Sequence, residues 1–326
     1  MTDSTTTTTV LDAIADRRAE RRDFLRYAGG AAASAGALSL LSACGGDSST
    51  PTPTPTPGTG TITADIDVLN FALNLEYLEA QFYSWAAFGQ ALSADLTVGV
   101  GTAGTVTGGA AVPFSDPIVA SYAREIALDE MAHVTFLRSV LGGAAVAMPA
   151  INIAGDATGA FTAAARAAKV VGMTDVFNPY ANDINFLLGA YLFEDVGVSA
   201  YKGASPLITN KTFIEAAAGI LAAESYHAGL IRSTLYRKGV DANAIYGQAQ
   251  AISDARDGLD GTSDIDQGIG DATTANIVPT DTNGLTYSRS TGQVLNIVYL
   301  NKAAVASGGF FPSGINGNIR TSAASG

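Results

Sequence analysis

Four stretches of the chain carry apolar residues at helical spacing, with residues at their ends that favour the beginning or the end of a helix. The predicted helices run from about Asp65 to Gly89, Pro117 to Leu141, Asp183 to Lys202 and Lys211 to Lys238. About 40 residues separate the second helix from the third, whereas about eight separate the third from the fourth. This spacing predicts two antiparallel helix pairs joined by a long crossover, an arrangement found among four-helix bundles. The predicted fold class is therefore all-α.

The two predicted helix pairs repeat each other. Residues 65–76 align with residues 183–194, with Asp, Ile, Leu, Ala and Glu at the same offsets. Glutamate ends this alignment in both copies, and a tyrosine follows each glutamate by seven residues, as Tyr83 and Tyr201. The second helices of the pairs align without a gap as well. The repeat predicts a pseudo-twofold relation between the pairs, in which matched residues have matched roles.

Both histidines of the chain stand three residues after a glutamate, in the motifs Glu130-x-x-His133 and Glu224-x-x-His227. Residues i and i+3 share one face of a helix, so a carboxylate and an imidazole at this spacing can reach the same ion. The alternative is a pair of surface ion pairs. The two motifs occupy matched positions of the repeat, which favours the metal interpretation.

The first and third predicted helices each place one glutamate, Glu76 and Glu194, among apolar neighbours. Four buried carboxylates without a counterion would cost several kcal/mol each, or would take up protons. Two divalent cations would neutralise the four negative charges. One glutamate from each of two helices, with Glu-x-x-His from the other two, is the pattern of ferritin-like di-metal bundles.

The composition excludes several other kinds of site. The net charge is −12, from 18 Lys+Arg against 30 Asp+Glu, and the chain has no basic run, so nucleic acid is not an expected partner. A single cysteine excludes disulfide frameworks and zinc sites built from cysteine. Hydrophobic residues make up 47% of the chain, enough for a sizeable core.

The N-terminal segment resembles an export signal. Residues 21–26 contain a twin arginine followed by Phe-Leu and a basic residue, although Glu20 replaces the usual Ser or Thr. Residues 41–44 read Leu-Ser-Ala-Cys, which resembles a bacterial lipobox and implies cleavage before Cys44 and acylation of its thiol. An uncleaved membrane anchor is the alternative. A Thr-Pro run over residues 50–57 favours an extended spacer.

These boundaries divide the chain into a signal (1–43), a tether (44–63), a bundle (64–240) and a C-terminal extension (241–326) expected to pack on the bundle. A short helix is predicted near residues 157–169 and another around residues 290–305. The extension has six aspartates between positions 254 and 271, whose spacing fits no EF-hand, so a solvated loop is expected there.

Residues 65–238 resemble the ferritin-like di-metal carboxylate proteins, and most of all the exported bacterial and plant group called ferritin-like or desiccation-related proteins. The segment Ile126–His133 is similar to the second helix of bacterioferritins. Residues 293–300 and 308–312 are similar to the C-terminal end of the exported group. The resemblance implies six metal ligands: Glu76, Glu130, His133, Glu194, Glu224 and His227.

Several neighbours of these ligands have more than one interpretation. Glu79 could replace Glu76 as a ligand, but the repeat places Gly197 opposite Glu79, which favours Glu76 and leaves Glu79 as a gatekeeper or a solvated residue. Asp129 could accept a hydrogen bond from a ligand histidine, or could be a surface residue. Tyr83 and Tyr201 could hydrogen-bond ligands or simply pack. Asp195 is expected to be solvated.

The resemblance implies two divalent iron or manganese ions and redox chemistry with O2 or peroxide, as in a ferroxidase, a peroxidase or a manganese-catalase-like oxidoreductase. The alternative is an envelope stress or desiccation protectant with a structural or vestigial metal site. The expected location is the periplasm or cell envelope, with a membrane attachment through lipid on Cys44. A monomer or dimer is expected rather than a storage cage.

Overall fold

The computed structural model describes residues 59–325. The predicted export signal, the lipidation site at Cys44 and most of the Thr-Pro tether lie outside these residues and remain predictions. Within residues 59–325, none of the helices combines the length and the hydrophobicity that crossing a bilayer requires.

Seven α-helices make up most of the described structure, which confirms the predicted all-α class. They are α1 (Thr59–Phe88), α2 (Pro117–Leu141), α3 (Ala160–Ala167), α4 (Asp183–Ala204), α5 (Lys211–Asp241), α6 (Ala244–Asp260) and α7 (Thr291–Val298). Helices α1 and α2 pack along each other, as do α4 and α5, and the two pairs form the four-helix bundle. Helix α3 lies in the long crossover between the pairs, near the predicted position.

The described residues form two short strands, one in the loop between α1 and α2 and one in the crossover. Strand β1 (Val106–Gly108) pairs in parallel with strand β2 (Ile151–Ile153), in the register Val106 to Ile151. Three single turns of 3-10 helix complete the regular structure: Ala94–Leu96, Gly142–Ala144 and Ser205–Leu207. The strands therefore join the loop that precedes α2 to the crossover that follows it.

Helix α1 begins earlier than the predicted Asp65, because that carboxylate caps a different segment. Asp65 accepts hydrogen bonds from the backbone N–H groups of Thr209 and Asn210, at 2.8 and 2.9 Å, just before α5. Its repeat counterpart Asp183 accepts from the backbone N–H of Ser115, just before α2. Each pair of helices therefore supplies an aspartate that fixes the start of a helix in the other pair.

Helices α1 and α4 are buried on nearly every face, whereas α2 and α5 expose one side to solvent. An aromatic cluster explains part of this difference. Phe82 of α1 lies 5.2 Å from Phe161 of α3 and 5.6 Å from Phe193 of α4, between ring centroids. Phe310 of the C-terminal extension lies 5.0 Å from Phe193. The crossover and the extension thus cover the outer faces of α1 and α4.

The C-terminal extension is more ordered than the sequence predicted. Residues 254–260, part of the segment expected to be a solvated loop, lie in helix α6, and the later helix α7 ends at Val298 rather than near Val305. Helix α5 continues beyond its predicted end near Lys238, and Gly239 lies inside it, where an added Cβ would come within 2.6 Å of the Tyr246 ring. The glycine therefore permits the close approach of α6 to α5.

Three buried arginines join the extension to the bundle. Arg232 and Arg256 both contact Asp195 Oδ2, at 2.7 and 2.8 Å. Arg256 and Arg289 each lie 2.7 Å from a carboxylate oxygen of Asp266. Arg289 also pairs with Asp260 Oδ2 at 2.6 Å. The expectations that Asp195 and the aspartates of the extension are solvated are therefore wrong for Asp195, Asp260 and Asp266, because each has a buried arginine partner.

Candidate metal centre

The four bundle helices bring all six sequence-predicted ligands to one place in the interior. Helix α1 contributes Glu76, α4 contributes Glu194, and the Glu-x-x-His motifs lie on α2 and α5. The four glutamates are at most 1% exposed. In α2 and in α5, the i, i+3 spacing places the glutamate and the histidine of the motif on the same face of the helix, toward the interior. Every residue of the predicted set therefore lies in the cluster.

The cluster divides into two groups, each arranged around one histidine nitrogen. His133 Nδ1 lies 3.2 Å from Glu76 Oε2, 3.5 Å from Glu130 Oε2 and 3.8 Å from Glu224 Oε1. Two ligand atoms each about 2.1 Å from one ion, at roughly right angles, lie about 3 Å apart. These separations are therefore close to those of atoms that share an ion.

The second group is arranged around His227. Its Nδ1 lies 3.1 Å from Glu130 Oε1 and 3.6 Å from Glu194 Oε2. Glu130 therefore faces His133 with one carboxylate oxygen and His227 with the other. A carboxylate with one oxygen in each group is placed to bridge two ions. The centroids of the two imidazole rings are 6.2 Å apart.

Buried polar atoms without partners indicate that the cluster fits metal ions. Among the described residues, no hydrogen bond reaches either carboxylate oxygen of Glu130 or Glu224, Oε2 of Glu194, or Nδ1 of His227, although all are buried. Leaving such groups unpaired is costly, and cations would satisfy all of them together. Carboxylate and imidazole donors without a thiolate suit iron and manganese.

The electrostatics of the metal-free cluster favour bound protons. Burial raises the pKa of Glu76 to about 7 and raises the pKa of Glu224 well above its ordinary value. Burial alone would lower the pKa of His133, but the facing carboxylates of Glu76 and Glu130 raise it to about 12. Metal ligands must be deprotonated, so cations binding here would displace these protons.

The two repeat tyrosines bind ligands of the opposite helix pair. Tyr83 of α1 donates a hydrogen bond to Glu194 Oε1 on α4, and Tyr201 of α4 donates to Glu76 Oε1 on α1. Each glutamate keeps its other oxygen, Oε2, toward a histidine. The tyrosines therefore do more than pack in the core, because their hydrogen bonds orient the two glutamates.

Asp129 supports one histidine from the edge of the cluster. Its Oδ2 lies 3.3 Å from His227 Nε2, and its side chain is 42% exposed. The hydrogen bond directs Nδ1 of the same ring toward Glu130 and Glu194. The matched position of the repeat is Ala223, which has no hydrogen-bonding side chain. Among the two repeat positions, only Asp129 can therefore support a histidine in this way.

Glu79 is buried, so the prediction that it is a solvated residue is wrong, and the gatekeeper alternative remains. It is 6% exposed and belongs to neither ligand group, whereas Glu76 lies in the first. An added Cβ on Gly197 would lie 3.5 Å from Glu79 Oε1, so these two repeat counterparts face each other. Burial raises the pKa of Glu79 well above its ordinary value.

Comparison with known proteins agrees with this architecture. The family model of the ferritin-like domain matches residues 64–237. The chain is 29% identical over 269 residues to the ferritin-like catalase Nec2 of Nesocodon mauritianus, covering 78% of this chain and 85% of the relative. It is 30% identical over 240 residues to the desiccation-related protein PCC13-62 of Craterostigma plantagineum, covering 70% of this chain and 75% of the relative. No solved structure matches the chain significantly. The chain therefore belongs to the ferritin-like domain family.

Proposed function

We propose that this protein binds two iron or manganese ions and decomposes hydrogen peroxide. The observation that carries the proposal is the position of Glu130, which offers one carboxylate oxygen to each of two ligand groups. That arrangement suits a carboxylate-bridged metal pair. A relative named as a ferritin-like catalase supports peroxide as the substrate.

Peroxide disproportionation converts two H2O2 into two H2O and one O2. One peroxide loses two electrons and two protons, and the other gains them. A bound metal pair supplies storage for the two electrons, one on each ion. The chain must therefore hold ligands in place and manage two protons.

The residues of the cluster suit these tasks. Tyr83 and Tyr201 hold Glu194 and Glu76 by one oxygen each, which preserves their orientation through a change in metal charge. Glu224 has no hydrogen-bond partner on either oxygen among the described residues, so both of its oxygens are available to the ions. The burial of the cluster keeps bulk water away from the reacting atoms.

Export and lipid attachment are a separate part of the proposal. The twin-arginine motif and the Leu-Ser-Ala-Cys sequence support an envelope protein tethered through Cys44. The twin-arginine route moves folded proteins, so metal could be loaded before export. Palmitate labelling of the wild-type chain and its loss in Cys44→Ala would test the attachment.

The tether and the extension favour a monomer or dimer over a storage cage, which sedimentation of the protein without its signal would test.

A second candidate function is protection of the cell envelope during drying. The relative named as a desiccation-related protein supports it. In this case the metal pair would stabilise the bundle and would not turn over peroxide. Measurement of O2 release separates the two functions, because a fully loaded but inert centre supports only the protectant.

The deciding experiment combines metal analysis with O2 release from peroxide. Protein loaded with manganese or ferrous iron is expected to hold about two ions per chain and to release O2. Glu130→Gln should lose the bridge and most activity. The matched control is Glu125→Gln, the same change on the exposed face of α2. Fewer than about one ion per chain in the loaded wild-type protein would overturn the proposal.

A further inference from the structure

A small cavity lies between α1, α4 and α7, beside the metal cluster. Its volume open to a water-sized molecule is about 20 Å³. About 10 to 15 Å³ of such volume accommodates one water molecule. Apolar side chains line it, including Leu78 of α1, Val196 of α4 and Ile297 of α7, and among residues 64–325 only Glu79 lines it with a polar side chain. The cavity therefore has room for a single small molecule with one hydrogen-bonding end.

Gly197 forms the wall between this cavity and the cluster. A Cβ added there would lie 2.2 Å from Oε2 of Glu224 and 3.5 Å from Oε1 of Glu79. Real Cβ atoms do not approach other heavy atoms as closely as 2.2 Å, so alanine would force Glu224 to move. A glycine in the middle of a helix is unfavourable relative to alanine. Its presence leaves no side chain between the cavity and the carboxylate of Glu224.

The repeat explains why this position carries a single carboxylate. Glu79 and Gly197 occupy matched positions and face each other, so they lie near the pseudo-twofold axis. Two glutamates at the axis would repel each other, and two glycines would leave the cavity without a polar group. The matched ligand positions 76 and 194 both carry glutamate, whereas the matched positions 79 and 197 carry glutamate and glycine. The difference creates a polar end for the cavity beside the cluster.

We propose that this cavity is the approach by which hydrogen peroxide, a small uncharged molecule, reaches the metal cluster, with Glu79 accepting a hydrogen bond from it. The proposal rests on the proposed function and adds a route and a size limit to it. The apolar walls exclude ions, and the small volume excludes alkyl hydroperoxides. Elsewhere the cluster is covered by His133 and Asp129, whose side chains are 12% and 42% exposed.

Substitutions that fill or enlarge the cavity test the route. Val196→Phe should lower kcat/KM for hydrogen peroxide about tenfold or more, with the metal content unchanged. Val196→Ala should keep that value and raise activity toward tert-butyl hydroperoxide. Val240→Phe, the same change at an exposed position of α5, is the matched control. If Val196→Phe fails to fold, Ile297→Phe fills the cavity from α7.

A second readout does not depend on turnover. Crystals of the metal-free protein soaked in hydrogen peroxide should show a two-atom ligand beside Glu79 in the wild-type cavity and none in the filled variant. Unchanged kcat/KM in a filled, metal-loaded variant would overturn the route, as would a wild-type cavity without bound peroxide. An inert or metal-free wild-type protein would instead count against the proposed function, so the two failures are distinguishable.

Discussion

Tyr201 on α4 donates a hydrogen bond to Glu76 on α1, the glutamate of the opposite helix pair. Tyr83 makes the reciprocal contact with Glu194. The tyrosine seven residues after each glutamate therefore does not support its own helix. It completes the ligand environment of the other pair, so neither pair can form the cluster alone.

Removing one of these phenols should weaken metal binding without unfolding the bundle. Tyr201→Phe deletes a single hydroxyl and frees Glu76 Oε1 inside the cluster. Changes to groups that orient ligands reduce metal affinity about 10-fold to 100-fold. Competition with a chromophoric chelator would measure the change. Tyr226→Phe is the control, because Tyr226 is 77% exposed on α5. Equal affinities of Tyr201→Phe and the wild-type protein would show that the contact has no orienting role.

Metal loading should stabilise the fold, because the cluster joins residues that are distant in sequence. At a free metal concentration 100 times the Kd, native-state binding contributes about 2.7 kcal/mol. For a chain of this size that corresponds to a rise in Tm of about 5 °C. Calorimetry of the metal-free and loaded protein would measure the rise, and Glu194→Ala should lose most of it.

The pair Glu76→Ala and Glu79→Ala tests which glutamate of α1 is the ligand. Glu76 lies 3.2 Å from His133 and Glu79 belongs to neither ligand group, so only Glu76→Ala should abolish the metal-dependent rise in Tm. Thermal scans with and without manganese would compare the two variants. If only Glu79→Ala abolished the metal-dependent rise in Tm, Glu79 would be the ligand, and the assignment of the four-helix bundle would still hold.

The metal-free protein should lose stability as the pH rises from 5 to 8. Burial raises the pKa values of Glu76, to about 7, and of Glu224, so the folded state keeps protons that the unfolded chain releases above about 4.5. The raised pKa of His133 also makes the folded state less stable as the pH rises. The stabilisation from its bound proton is complete below about pH 6.5 and is lost as the pH approaches 12. Urea denaturation of chelator-treated protein across this range would show the trend.

Metal should reverse that trend, because cations replace the protons and bind best to deprotonated ligands. The loaded protein is therefore expected to gain stability, relative to the metal-free protein, as the pH rises from 5 to 8. The same denaturation series with manganese present provides the comparison. Metal-free stability that increases with pH would contradict the assignment of a proton-holding cluster.

The buried ion pairs of the extension should be essential for stability. Arg289→Met leaves Asp260 and Asp266 short of a buried partner, and breaking a buried pair costs about 3 to 5 kcal/mol. The control is Arg237→Met, because Arg237 is 60% exposed and contacts Asp116 at 3.4 Å, and exposed pairs contribute about 1 kcal/mol or less. Chemical denaturation would give both values. Similar costs for the two variants would contradict a structural role for the buried network.

The sequence by itself determined the bundle and the membership of the cluster. Helical periodicity and the Glu-x-x-His spacing are local patterns, and they place Glu130 beside His133 on α2 whatever the rest of the chain does. The internal repeat extended the same logic to Glu76 and Glu194. Both histidines belong to these motifs, and few glutamates lie elsewhere, so the sequence offered few alternative metal sites.

Only the tertiary structure decided which distant residues meet. Tyr83 contacts Glu194 across 111 positions of sequence, and Arg289 pairs with Asp260, which lies in a segment expected to be a solvated loop. The burial of Glu79 likewise depends on the helix that faces it, through Gly197. Local spacing determines which side chains share a face of one helix. The partner on another helix is determined by how the helices pack, because the cost of burying a charge is offset only by groups that packing brings within a few ångströms.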